Sequence, residues 1–366
     1  MSNPSQKLFF NYATVSPMCE SSYEAIIKFT EKFYNIGPPE VLYEYDPISK
    51  DLALEAAKLI NCSPNEITYI KNTTEGINIA SETLPIEKDD EVLVLGNEYP
   101  ANLLPWIKKS KEGVKVIIIQ GQDNQLAFDK LIDSISPKTK IISISTAQYY
   151  DGFMPDLEAL SNLCQKNGIF LILDAVQTIG IRKIDMTRIH ADFLVCGGQK
   201  YLQAGTGIGF MYVNKQTMKH LKDFKVGIRS MSSFSENDYI LKDNAERFQD
   251  GTQNLNGIVS LYASLKNINL IGIENIEKTN IKLLNEFKAI LNDKDIKFID
   301  NGLDQSNIIS VKVSDPQALF EYLKERSIYI KPIKDVARIS FIHESKTADF
   351  ITMAENIRKW MNLNNN

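Results

Sequence analysis

The sequence predicts an α/β protein: a mainly parallel sheet covered by helices on both faces, followed by a smaller C-terminal α/β domain. Three observations carry this. Short continuous apolar runs alternate with stretches of helical spacing between residues 66 and 213, the pattern of parallel strands buried on both sides. At 366 residues the chain exceeds what one compact core usually holds. Past Val213 the alternation lapses, and a second, shorter α/β pattern begins near residue 308.

Residues 1–20 contain Pro4 and Pro17 and little helical period, so they read as an extended arm. Helices are predicted over 21–34 (Tyr23, Ile26, Ile27, Phe33) and 50–60 (Leu52, Leu54, Ala57, Ile60). E-I-T-Y-I-K-N (66–72) is a strand leading directly into a helix that opens T-T-E-G. Thr73 and Thr74 are its N-cap candidates, and such a helix start offers amides and a positive dipole end to an anion. Strands follow at 91–97, 114–120 and 140–148, with helices over 126–135 and 156–167. I-F-L-I-L-D-A-V-Q (169–177) is a buried-type strand reaching Asp174, with Gln177 just beyond. Residues 222–246 read as polar loop, and 257–292 as one long helical stretch joining the domains. Strands at 308–313, 328–333 and 337–342, with helices over 316–326 and 347–361, complete the small domain, and the tail L-N-N-N reads as frayed. The resulting division is an arm over 1–20, a large domain over 21–256, and an interdomain helix with the small domain over 257–366.

One stretch points to chemistry. In D-F-L-V-C-G-G-Q-K-Y-L-Q-A-G-T-G-I-G-F-M-Y-V (192–213), an apolar strand runs through two glycines and Gln199 to Lys200, then bends through glycines into another strand. An amine at a tight strand exit with apolar walls suits a Schiff base with a carbonyl cofactor. Asp174 adds the acid that keeps a pyridine nitrogen protonated, so the pair suggests pyridoxal phosphate. Rival readings fail on spacing. Gly205, Gly207 and Gly209 give G-x-G-x-G instead of the dinucleotide fingerprint, and Tyr201 follows Lys200 where a P-loop has Ser or Thr.

These segments resemble the class V branch of the fold-type I pyridoxal-phosphate enzymes, which includes cysteine desulfurases, kynureninase, isopenicillin epimerase-like proteins and several aminotransferases. The resemblance runs from N-Y-A-T-V-S-P (11–17) to R-I-S-F-I-H (338–343), with the motifs in the family's order. It implies the three-layer fold-type I architecture, the Schiff base on Lys200 and the pyridine partner Asp174. It also implies that T-T-E-G-x-N holds the cofactor phosphate through Thr74 and the Glu75 amide, that Tyr99 stacks on the ring, and that Tyr149 faces the ring hydroxyl, where many relatives have asparagine. Gln177 and Gln199 join these cofactor contacts, and Arg338 receives the substrate carboxylate. F-Q-D-G-T-Q-N (248–254) implies that Thr252 reaches a neighbouring subunit's phosphate, hence a homodimer with shared sites.

The expected substrate is a small amino acid, and the expected activity transamination, with β-lyase (C–S lyase) or kynureninase-like chemistry as the alternative and a non-catalytic scaffold behind both. Desulfurases carry a histidine where Pro100 falls and a cysteine in the loop before the final arginine. Here I-Y-I-K-P-I-K-D-V-A-R (328–338) has none, so persulfide formation of the desulfurase type is expected to be absent.

Composition narrows the partners. A formal charge of −5 and the lack of a long basic run argue against nucleic acid. No apolar run approaches a membrane span or a signal-peptide core, which places the protein in the cytoplasm as an expectation. Cys19, Cys62, Cys164 and Cys196 are widely spaced and the three histidines scattered, so neither a disulfide framework nor a metal site is indicated.

Overall fold

The computed structural model describes residues 7–45, 47–302 and 305–364, so the first six residues of the arm and the end of the tail lie outside it. Seven strands form the large sheet in the order Ile67–Ile70, Gly209–Val213, Phe193–Gly197, Phe170–Asp174, Thr139–Ser145, Glu91–Leu95 and Lys115–Ile119. Every neighbouring pair is parallel except the two made by Gly209–Val213. The sheet is therefore mainly parallel, as the uninterrupted apolar runs require.

Because successive side chains in a strand point to opposite faces, each run feeds two cores. Leu93, Leu95, Ile142, Ile144, Leu171, Leu173 and Leu194 face helices Ile48–Ile60, Asn124–Asp133, Leu157–Asn167 and Leu255–Ile271. Val92, Val94, Ile141, Ile172, Phe193 and Val195 face the other way, against Thr73–Thr83 and Pro100–Ser110. The helix Thr73–Thr83 lies close to the sheet because Gly76 has no side chain. A Cβ there would stand 2.5 Å from Val195 Cγ1 and 3.1 Å from Ile70 Cδ1.

A separate core is built from Leu284, Phe287, Ile309, Phe341, Phe350 and Trp360 around a three-stranded antiparallel sheet, ordered Ile308–Lys312, Val336–Ser340, Lys331–Ile333. Phe10 of the arm belongs to this core. Leu8 and Phe9 pair in parallel with Ile328 and Tyr329, and Asn11 bridges to Ser340. The arm therefore begins on the C-terminal unit.

The structure differs from the sequence reading in several places, and the stretch 328–333, read as one strand, is two: Ile328–Tyr329 on the arm and Lys331–Ile333 beside Val336–Ser340. The N-cap of Thr73–Thr83 is Asn72, whose Oδ1 accepts the Glu75 N–H at 2.9 Å, and neither Thr73 nor Thr74 takes that position. The long helical stretch is two helices, Leu255–Ile271 and Ile273–Asp293, broken at Gly272, whose φ of 87° glycine adopts without steric cost. Within 222–246 an antiparallel hairpin pairs Met231–Phe234 with Tyr239–Leu241. Its residues are mostly exposed, so no buried face leaves an alternating signature. Helices Pro38–Tyr45 and Pro100–Ser110 were not anticipated, each opening on the proline that a first helical turn tolerates. Among the described residues no helix is long and apolar enough to cross a membrane.

Gly76→Ala should destabilise the fold by about 1–3 kcal/mol through overpacking against Val195, despite alanine's better helix propensity. Urea unfolding measures this, and an unchanged or raised midpoint would show that the helix can lift off the sheet without cost.

Candidate active site

Parallel strands bring their carboxyl ends to one edge of a sheet, and two adjacent ends here carry the chemistry. Asp174 is the last residue of its strand, paired in register with Val195 on the neighbouring strand Phe193–Gly197. Lys200 follows that neighbour after the turn Gly198-Gln199. Gly205 and Gly207, with φ of 78° and 77°, then carry the chain back into the strand Gly209–Val213. The register of two parallel strands thus sets an amine beside a carboxylate.

Both groups are buried, Asp174 at 2% exposure and Lys200 at 8%. Burial pushes the Lys200 amine below, and the Asp174 carboxyl above, their ordinary ranges. Their mutual attraction opposes both shifts, while Arg338 pushes the amine further down. Asp174 Oδ1 accepts the Val176 N–H at 3.1 Å.

Lys200 lines a cavity of about 340 Å³ with Ala13, Thr14, Tyr99, Tyr149, Gln177, Lys331, Pro332, Ile333 and Arg338. The Tyr99 and Tyr149 rings meet edge to face, centroids 5.4 Å apart, and Lys200 Nζ lies 5.6 Å from the Tyr99 centroid. Burial comes first among the causes that raise the Tyr149 phenol. Gln177 donates from Nε2 to the Ala13 carbonyl at 3.1 Å, while its Oε1 is buried without a partner.

Arg338 lies in the strand Val336–Ser340 and is 3% exposed. It donates from Nη1 to the Tyr149 carbonyl at 2.7 Å and from Nη2 to Thr14 Oγ1 at 2.6 Å, and Nε is left without a partner. Burial pushes the guanidinium down to about 10, and the groups that pull it back are the phenols of Tyr201, Tyr149 and Tyr99. Among the described residues it has no carboxylate partner.

The arm reaches all of these parts. Ser16 donates its N–H to the Gln199 carbonyl at 2.8 Å and its hydroxyl to the Lys200 carbonyl, and the Ala13 N–H donates to Ser340 Oγ at 2.9 Å. Of the other residues singled out by sequence, Thr74 and Thr252 are exposed. Neither lines this cavity, nor do Glu75 and Gln199. The Glu75 amide is already engaged by Asn72. Thr73 Oγ1, at the same helix start, is buried without a partner.

Sequence reasoning missed Glu98. It is 4% exposed and its carboxylate gathers four donors. Ser145 N–H and Gln148 Nε2 reach Oε1, each at 2.8 Å, Asn102 Nδ2 reaches Oε2 at 3.0 Å, and the Ser145 hydroxyl also donates to Oε2. Burial pushes this carboxyl up, and the four donors pull it back. Its charge also raises Asp174 and Tyr149. The only hint in the sequence was an acid between a buried strand and the Tyr99 helix start, and charge ordinarily signals exposure.

The family Aminotransferase class-V matches residues 44–348, so the chain belongs to the class V aminotransferase family, whose members are pyridoxal-phosphate-dependent. A probable cysteine desulfurase from Methanothermobacter thermautotrophicus is 30% identical over 275 residues, covering 74% of this chain and 69% of that one. The apo structure of a cysteine desulfurase from Thermococcus onnurineus NA1 superposes with a TM-score of 0.88 at 22% identity, covering 97% of this chain and 95% of that one. The cystine C–S lyase C-DES superposes with a TM-score of 0.89 at 19% identity, covering 97% and 98%. These superpositions show the fold-type I architecture.

The expectation that desulfurase chemistry is absent is corrected by these relatives, named as cysteine desulfurases. Its premise, a loop without cysteine between residues 328 and 338, concerns where sulfur is received. It says nothing of whether a C–S bond is broken.

The cavity fits the family's cofactor on its own terms. An amine of lowered pKa, a buried acid at the neighbouring strand end, a ring face from Tyr99 and the unpartnered Gln177 Oε1 are the groups a polar aromatic aldehyde would engage.

Glu98→Gln places an amide NH2 among donors and should cost about 1–3 kcal/mol of stability. Denaturant unfolding, read alongside the near-ultraviolet signal of Tyr99 and Tyr149, measures it. Wild-type stability in that variant would mean the carboxylate is not the hub of this network.

Proposed function

We propose that this chain is a pyridoxal-phosphate-dependent enzyme that cleaves the C–S bond of a small sulfur-bearing amino acid. The observation that carries the reading is one cavity joining two things: an amine whose neutral form burial favours, and a buried guanidinium with an unused Nε and no acidic partner. The first suits a nucleophile and base, the second a substrate carboxylate. Relatives named as cysteine desulfurases support C–S cleavage and move it ahead of transamination.

Lys200, Asp174, Gln177, Gln199 and Tyr99 would hold the cofactor, with Tyr149 beside the ring and the helix start at Thr74 and Glu75 near its phosphate. Thr73 Oγ1 is a further candidate there, because it is buried and unpartnered. Thr252 would serve the partner subunit's phosphate in a homodimer. The bound cofactor supplies an electron sink for the pair left at Cα when its proton is removed. Arg338 fixes the carboxylate, and the Thr14 hydroxyl and Tyr149 carbonyl fix Arg338. Lys200 Nζ, in the neutral form that its burial favours, would take the Cα proton. Asp174 would stabilise a protonated ring nitrogen as a carboxylate, the form that Lys200 and the Val176 N–H favour against its burial. Tyr99 and Tyr149, which line the cavity, would flank the bound ring and substrate.

Product analysis on the loaded enzyme tests the reaction. With cysteine and a thiol acceptor, desulfuration leaves alanine and passes the sulfur to the thiol as a persulfide, and β-elimination leaves pyruvate and ammonia with sulfide from cysteine or cysteine persulfide from cystine. Either outcome, abolished by Lys200→Ala, is expected. A 2-oxo acid retaining sulfur, formed without ammonia, would assign transamination instead.

Cofactor capture should also follow the Lys200 shift. A lowered pKa means the neutral amine appears as pH rises through a range below that of an ordinary lysine, about 10.4. Borohydride-trapped yield on Lys200 should therefore plateau below about pH 10. Asp174→Asn, which removes the charge that pulls the pKa back up, should move the midpoint lower still. A plateau reached only above pH 10, or labelling of another lysine, would contradict the assignment.

A further inference from the structure

We propose that the cavity selects amino acids whose short side chain ends in a second anionic group, and that Lys331 reads this group while Arg338 holds the α-carboxylate. The inference rests on the reading of Arg338 given above. Lys331 and Arg338 are direct cross-strand partners in the antiparallel pair Lys331–Ile333 with Val336–Ser340. Directly opposed residues project from the same face, with Cβ atoms about 4.5–5.5 Å apart. Both side chains line the same cavity.

Two like charges so placed destabilise the hairpin unless an anion lies between them. Neither has one from the protein. Among the described residues Lys331, like Arg338, makes no ion pair, and no acidic residue lines the cavity. The acid nearest on the hairpin, Asp335, is engaged by the Tyr150 hydroxyl at 2.7 Å. The turn between the strands adds a further cation, Lys334, over the Tyr150 ring. Lys331 and Arg338 are thus two cations on a cavity wall that holds no acidic residue, with Pro332 and Ile333 also lining it.

A ligand answers this arrangement when it carries one carboxylate for Arg338 and a second anion a few bonds away. The roughly 340 Å³ must also admit a cofactor ring, so the side chain is short. The class is that of amino acids ending in a β- or γ-carboxylate or sulfinate. Lys331 is exposed, so its contribution is screened and salt-sensitive, whereas that of Arg338 is not.

The test uses holoenzyme with Lys331→Gln, Lys331→Glu and Lys331→Arg, and four ligands: aspartate and cysteine sulfinate against alanine and cysteine. Equilibrium affinity is read by calorimetry and by the change in the bound cofactor's absorbance, and kcat/KM where turnover occurs. Wild type should prefer the anionic member of each pair. The preference should fall roughly five- to tenfold in Lys331→Gln, fall further in Lys331→Glu, persist in Lys331→Arg, and weaken as salt is raised. The inference is overturned if the affinities for anionic and neutral ligands change by the same factor, or if wild type shows no preference. Because binding is read apart from products, Lys331-dependent selection without C–S cleavage would remove the proposed reaction and leave this inference standing. Cleavage of cysteine with no selection would do the reverse.

Discussion

Holding an amine and a carboxylate together out of water is the constraint on which the rest of this structure depends. Each group alone would be neutralised by burial, and each partly restores the other. Only a framework that fixes both positions can maintain such a pair, and here the parallel register of two adjacent strands does so. The helix layers on both faces serve the same end, because a one-residue slip of a strand would carry each side chain into the opposite core, where the packing is different. The stability of the sheet and the reactivity of Lys200 therefore have one origin.

Around that pair the site is assembled from distant parts of the chain with few redundant contacts. Tyr99 follows one strand of the large sheet, Tyr149 another, and Arg338 comes from the small antiparallel sheet. Glu98 gathers donors from the helix Pro100–Ser110, the end of the strand Thr139–Ser145, and Gln148, and so fixes the segments that present both tyrosines. A fully bonded buried carboxylate of this kind orders backbone more than it stabilises it, since most of its hydrogen-bond energy offsets its own desolvation.

Much of this was legible in the sequence because it is written in local signals. Apolar runs of strand length marked the sheet, and Lys200 and Asp174 stood at their ends, where ligands collect. Arg338 was legible through the motif around it. Other features depend on what surrounds a residue in space. Asn72, Thr73 and Thr74 are all competent caps, and only the helix's final register selects Asn72. Gly272 lies in an apolar stretch that continues on both sides, so the break has no polar signature. Glu98 reads as a surface acid until its four donors are brought to it. The desulfurase expectation failed for another reason: a missing residue type in one loop was taken as evidence about a bond broken elsewhere.

The arm carries a consequence for how the protein is made. Thr14 is bonded to Arg338, and Ala13 to Ser340, across 324 and 327 positions of the chain. Thr14 must therefore wait for a partner made 324 residues later. The large sheet can form while synthesis continues, since its strands end at Val213, but Arg338 acquires its hydroxyl partner only after the small sheet is complete. Until then the cavity lacks one wall and the arm holds only to the large domain, through Ser16 and Ala13. A nascent chain cut short between residues 213 and 338 would possess Asp174 and Lys200 on their strands, and with them an accessible amine, but would lack Arg338. Translation itself thus imposes an order in which the amine is made before the buried guanidinium of the same cavity.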